Sequence, residues 1–383
     1  MRSTLRKFVA RARCSTLAPA LLAVFLSMQF AAPAALAQSS KNDTSGAGPD
    51  GPYVWREADG SFTAKRIVAG EAGAKVANST IHAAEARIEV ALAGLAKPLT
   101  VRLRAPAAPQ ATQIESAEPL FVLSDIEGNL EALLQLLRAG KVVDEELRWT
   151  FGAGHVVYVG DLFDRGLNVT ECLWLFYELE ARARAAGGEV HFLLGNHEVM
   201  NLTGDLRYVR RKYHENAELL GASLVELYSR ETVLGQWLRT RNVALRIGGE
   251  LFVHGGVSPT VAQAKVGLDE LNRALREALL SDAGAKPNAK LPSLAAGSPD
   301  GLIWYRGYFR KPTLPESELE NVLASFGVAR VVVGHTVVEN IGFQHGGRVL
   351  AVDVHHAGGT SQAALREKGK WMRLSSSGER TEL

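Results

Sequence analysis

Along much of the chain, apolar residues gather into short runs separated by glycine-rich or polar turns. Leu120–Leu123, Val156–Val159, Val190–Leu194, Leu251–Val253 and Val331–Val333 are three to five residues long and apolar almost throughout. Runs this short, rich in valine and bounded by turns, predict strands buried on both faces. Between them, Leu130–Leu137 and Val169–Ala186 carry helical spacing. Strands alternating with helices predict a layered α/β fold over residues 119–383.

Upstream the period changes to two. Ser61–Val68, Arg87–Leu92 and Leu99–Leu103 alternate, and Asp59-Gly60 is a turn signal ahead of the first. They predict a small β-rich accessory region over 53–104, without visible chemistry. Residues 38–52 and 105–118, rich in small residues and proline, read as linkers. Residues 282–300 read as a surface excursion.

Each core run ends on a polar group. Asp125 follows the first, Asp161 the second, Asn196 and His197 the third, His254 the fourth and His335 the fifth. In layered α/β architectures the carboxyl ends of strands are where sites assemble.

Charge changes the picture once the first residues are set aside. The chain has a formal charge of +2 over 383 residues. Residues 1–37 hold five basic residues and no acid, and without them 38 basic face 41 acidic residues. No basic surface is implied, so nucleic acid is not an expected partner. That first segment has a basic start, an apolar run Leu17–Met28 and Ala35-Leu36-Ala37 before Gln38. It reads as a cleaved export signal, placing the mature protein in the periplasm or outside the cell. The rival reading is an uncleaved membrane anchor, since residues 17–37 reach the roughly 20 residues a span needs. After cleavage only Cys172 remains, within an apolar helical pattern, and reads as a buried thiol. Oligomeric state is not legible.

The polar ends carry candidate chemistry. Asp125 and Glu127 are separated by one residue, so in an extended segment both reach one cation. Asp161, Asp164 and Arg165 share a turn framed by Gly160 and Gly166. That spacing suits a metal carboxylate, a supporting acid and a phosphate clamp. Asn196 offers a neutral oxygen or, on the bland reading, a helix cap. His197 is of a type that protonates leaving groups. His254 and His335 would each be weak alone. Together the oxygen and nitrogen donors suit two divalent ions of manganese, iron, zinc or magnesium type.

These motifs carry a resemblance. Gly-Asp161-Leu-Phe-Asp164-Arg165-Gly, Gly-Asn196-His197-Glu198, Val-His254-Gly-Gly, Gly-His335-Thr and Trp304-Tyr305-Arg306-Gly resemble the calcineurin-like metallophosphoesterases. Within them the phosphoprotein phosphatase branch, and there the Shewanella-like phosphatases, are the nearest pattern. The resemblance covers about Leu120 to Gly359. It implies two sheets flanked by helices and hydrolysis of phosphate monoesters, on proteins or small molecules, by a hydroxide between two metals. Asp161 is then shared by both ions, Asn196, His254 and His335 complete the second, and Asp125 serves the first. His197 becomes the general acid oriented by Asp164, with Arg165 and Arg306 on the phosphate oxygens.

One position departs from that pattern. Glu127 stands where the family has a histidine ligand of the first metal. A carboxylate is anionic and harder, so manganese or iron is favoured over zinc there and the ion becomes a weaker Lewis acid. Two alternatives follow: a phosphodiesterase or nucleotidase of the same fold, disfavoured by Val337 where a second histidine would stand, or a phosphate-binding domain with weakened catalysis. His355 and His356 are lesser candidates for the site's border. For Glu198, support of the loop is the expected role.

Overall fold

The computed structural model of the protein describes residues 43–71, 73–84, 86–280 and 290–383. The expected export segment at 1–37 lies outside the described residues. No helix among the described residues is long and apolar enough to cross a membrane.

The strands in chain order are β1 (Asp50–Arg56), β2 (Phe62–Gly70), β3 (Gly73–Ile81), β4 (Arg87–Val90), β5 (Leu99–Arg102), β6 (Gln113–Ile114), β7 (Leu120–Leu123), β8 (His155–Tyr158) and β9 (Glu189–Phe192). They continue with β10 (Ala244–Ile247), β11 (Glu250–Val253), β12 (Arg330–Val333), β13 (Gly342–Gln344), β14 (Val349–Ala351), β15 (Gln362–Glu367), β16 (Lys370–Ser375) and β17 (Arg380–Glu382). One six-stranded sheet has the order β17-β16-β15-β7-β8-β9, and the other β13-β14-β12-β11-β10-β6. Both are mixed: β7, β8 and β9 run parallel, as do β11, β12 and β14. The expected layered α/β fold with two sheets is the one observed.

Alternation explains why the central strands are apolar on both parities. Leu120, Val122 and Val157 pack with Phe252, Val332 and Leu350 in the layer between the sheets. Phe121, Leu123, Val156 and Tyr158 point the other way, into the core that holds helix residues. Those helices include α1 (Leu130–Ala139) and α2 (Val169–Ala185). Asn129 caps α1, its side chain accepting from the Ala132 N–H at 3.2 Å. Cys172 is wholly buried in α2. Glu250 enters the layer with its partners: it accepts from Trp371 Nε1 at 2.9 Å and pairs with Arg330 at 2.7 Å and Arg366 at 2.5 Å.

β1–β3 and the β4–β5 hairpin are the expected β-rich region. Tyr53, Ile67, Val90 and Val101 join the same core as α2. The flanking stretches are tied down. Asp43 binds Arg210 at 2.7 Å, and β1 already begins at Asp50. β6, inside 105–118, pairs with β10 through Gln113↔Arg246. Of the expected excursion, residues 290–300 include a short helix, Lys290–Ala296, with Leu294 and Ala295 buried.

Candidate metal centre

Every core strand of the two sheets that was expected to present a polar group does so at one edge. Asp125 follows β7, Asp161 follows β8, Asn196 follows β9, His254 follows β11 and His335 follows β12. All five are 7% exposed or less. The chain turns sharply there. Asp125, Glu127, Asp161, Asp164, Arg165 and His335 all have φ between 48° and 72°. Non-glycine residues in this region are strained and gather at functional sites. Gly195 makes room for the turn: a Cβ there would lie 2.2 Å from Asp161 Oδ1.

The side chains converge. Asp161 Oδ1 accepts from the His197 N–H at 2.9 Å, and its Oδ2 lies 3.0 Å from His254 Nε2. Asn196 Oδ1 lies 3.1 Å from the same nitrogen. Asn196 is the first residue of α3 (Asn196–Thr203), and Gly195 takes the cap position. Asp125 Oδ2 accepts from the His335 N–H at 3.1 Å. The ligand atoms of Asp161, His254 and His335 lie within 4.8 Å of one another, as do those of Glu127, Asp161 and His197.

His254 shows that this cluster suits a cation. Its Nδ1–H is committed to the Val159 carbonyl at 2.7 Å. Its Nε2 therefore faces two oxygens, from Asp161 and Asn196, with a lone pair unless a cation intervenes. Burial opposes a charge on the ring, but Asp161 and Asp125 outweigh it and push His254 up to about 9. A place that holds a proton so tightly holds a divalent ion by the same field. His335 Nε2 is buried without a hydrogen-bond partner. Two imidazoles, carboxylates and an amide oxygen fit borderline or hard divalent ions.

Beside the cluster, Asp164 Oδ2 holds His197 Nδ1 at 2.5 Å, and Asn201 Nδ2 fixes the other Asp164 oxygen at 3.0 Å. Burial lowers the His197 pKa, yet Asp161 and Asp164 reverse this and raise it. Arg165 pairs with Glu127 and lies 3.4 Å from His197 Nε2. Arg306 is anchored by the His335 carbonyl and by Thr336 Oγ1.

A profile of the calcineurin-like phosphoesterases matches residues 119–339. The chain belongs to this family. It is 28% identical over 271 residues to Shewanella-like protein phosphatase 2 of Arabidopsis thaliana, covering 59% of this chain and 68% of that one. It is 27% identical to Shewanella-like protein phosphatase 1 of Plasmodium berghei, over 57% of this chain and 60% of that one. A solved cold-active protein-tyrosine phosphatase of a psychrophilic Shewanella species superposes with a TM-score of 0.80 at 34% identity, over 88% and 99% of the two chains. This calcineurin-like protein is a metallophosphatase.

Asp353 joins this phosphatase's candidate centre without a role expected from the sequence, and Glu198 has a larger role there than the one expected. Glu198, wholly buried, accepts from the N–H groups of Asp161 at 2.9 Å, Leu162 at 2.6 Å, Phe163 at 3.3 Å and Gly195 at 2.6 Å. It locks the two loops that carry Asp161 and Asn196 together, a stronger role than general loop support. Asp353 follows β14, is 3% exposed, and stands level with His335 because Val333 pairs with Ala351. Burial and the Asp125 charge push its carboxyl well above the usual range. The signal was present, since Val349–Val352 is a sixth apolar run ending on an acid. Of the two histidines expected at the border, His355 is exposed, and His356 Nε2 lies 3.1 Å from the Ser124 carbonyl.

Proposed function

We propose that the protein is an exported phosphomonoesterase acting on phosphoproteins, with phosphotyrosine the leading side chain. The observation that carries the chemistry is the His197–Asp164 pair set beside the Asp161–His254–Asn196 cluster. Asp161, Asn196, His254 and His335 would hold one ion, and Asp161, Asp125 and Glu127 a second. When bound, such ions supply Lewis acidity and a nucleophile at neutral pH.

The chain's own groups account for the rest. Asp164 fixes His197 through Nδ1 and leaves Nε2 toward the centre, where it gives its proton to the departing oxygen. The raised pKa keeps that proton available near neutrality. Arg165 and Arg306 flank the centre with planar forks suited to phosphate oxygens. Glu198 keeps the two loops from drifting. Tyr208, whose ring centre is 5.1 Å from that of His197, offers an aromatic wall for a phenyl phosphate.

The substrate reading is supported by the names of the relatives, protein phosphatases and a protein-tyrosine phosphatase. Turnover of matched peptides bearing phosphotyrosine, phosphoserine or phosphothreonine tests it. Higher kcat/KM on phosphotyrosine is expected; equal rates on all three, below those on small esters, would contradict it. Export rests on the pattern of residues 1–37. It predicts a mature chain starting at Gln38 in the periplasmic fraction, and a full-length chain retained in the cytoplasm would overturn it.

A further inference from the structure

A second cluster lies at the ends of β8 and β9 away from the candidate centre. His155 opens β8, while Glu189 and His191 are the first and third residues of β9. Register pairs His155 with Glu189. Paired residues share a face of a sheet, and so do residues i and i+2. The three side chains therefore form a triangle on one face. Val157 and Leu193, of the same parity, pack between the two sheets. The triangle thus faces that layer, beside the edge strand β9.

His155 Nδ1 and His191 Nε2 are 2.9 Å apart, and Glu189 Oε2 is 3.8 Å from His191 Nε2. The three ligand atoms lie within 4.8 Å of one another. Ligands about 2.0–2.1 Å from a tetrahedral zinc stand roughly 3.3–3.4 Å apart. The observed separations bracket that value, so small side-chain movements would admit an ion. Burial keeps the imidazoles neutral, with His191 pushed down to about 3 and His155 lowered. Neutral imidazole is the metal-binding form. Arg241 and Arg184, whose charges reach His191, are paired to Glu180 at 3.1 Å and 3.2 Å. His155 and Glu189 are half-exposed, which gives an ion a way in.

We propose that His155, Glu189 and His191 form a zinc-type site, separate from the candidate catalytic centre, with its fourth position left to water. Two imidazoles and one carboxylate are a zinc donor set. The ion would staple the edge strand β9 to β8. The far ends of those strands carry Asp161 and Asn196, so the staple would help keep two residues of the candidate centre in register.

The test is cobalt(II) titration of the metal-stripped protein, followed by visible absorption, for wild type, His155→Gln and Glu189→Gln. Wild type should bind one more equivalent than either variant, with tetrahedral cobalt bands that both variants lack. Zinc at about a hundredfold excess over its Kd should raise the wild-type Tm by roughly 3–5 °C more than that of either variant. Glu189 is half-exposed and close in size to glutamine, so its variant serves if His155→Gln fails to fold. With manganese alone and no zinc at the staple in any of the three, turnover should be the same, which separates this site from the catalytic one. Equal cobalt uptake and equal spectra in wild type and Glu189→Gln would overturn the proposal, leaving a hydrogen-bonded histidine pair.

Discussion

Glu127 forms an ion pair with Arg165 at the edge of the candidate centre. Glu127 stands where the resemblance implied a histidine, and its carboxylate occupies a guanidinium expected to bind phosphate. Glu127→Gln should therefore free Arg165 and strengthen competitive inhibition by inorganic phosphate by about threefold to tenfold, in line with loss of a competing charge-assisted bond. A Ki unchanged from wild type would show that Arg165 is not restrained by Glu127. Glu127→His should shift metal preference toward zinc, read by metal analysis after competition between zinc and manganese.

Replacing His197 by Asn should lower kcat by about 10²–10⁴-fold. The loss should be largest for alkyl phosphates, whose leaving group needs the proton, and smallest for p-nitrophenyl phosphate. A uniform loss across leaving groups would move His197 from proton donor to phosphate ligand. Asp164→Asn should reproduce the same trend more weakly.

Glu198 accepts four buried N–H groups. Glu198→Ala strands them, and each buried group left unpaired costs about 1–3 kcal/mol. Urea unfolding should show a loss of at least ~3 kcal/mol. Glu198→Gln should recover part of it by keeping an acceptor oxygen.

Glu171 sits buried on α2. Burial and the nearby Asp50 push its carboxyl up to about 8. The folded state thus binds this proton more tightly than the unfolded chain, so its stability contribution is full below about pH 4.5 and is lost as pH rises through 8. Glu171→Gln should flatten that decline and exceed wild-type stability at pH 8–9 by roughly 1–3 kcal/mol. Parallel pH profiles of the two proteins would contradict this.

Most residues of the candidate centre are legible in the sequence because a buried strand must be apolar, and a polar residue at its carboxyl end stands out. Asp125, Asp161, Asn196, His254 and His335 were found this way. Asp353 obeys the same rule, but the two histidines that follow it are the more conspicuous signal in that stretch. The Glu127–Arg165 pair was not legible, because it depends on positive φ at both residues and on side-chain reach. Likewise β6 carries no local strand signal. It exists through pairing with β10, more than a hundred residues on.

The central claim is that the buried Asp–Asn–His cluster holds metal and hydrolyses phosphate monoesters. The chain from Gln38 onward, stripped of metal and reloaded with manganese, should be assayed on p-nitrophenyl phosphate and bis(p-nitrophenyl) phosphate beside His254→Asn. Turnover of the monoester that returns with metal, exceeds that of the diester and is lost with metal content in His254→Asn is the predicted result. A folded wild-type protein that binds metal yet turns over neither ester, with manganese, iron, zinc or magnesium, would contradict the account.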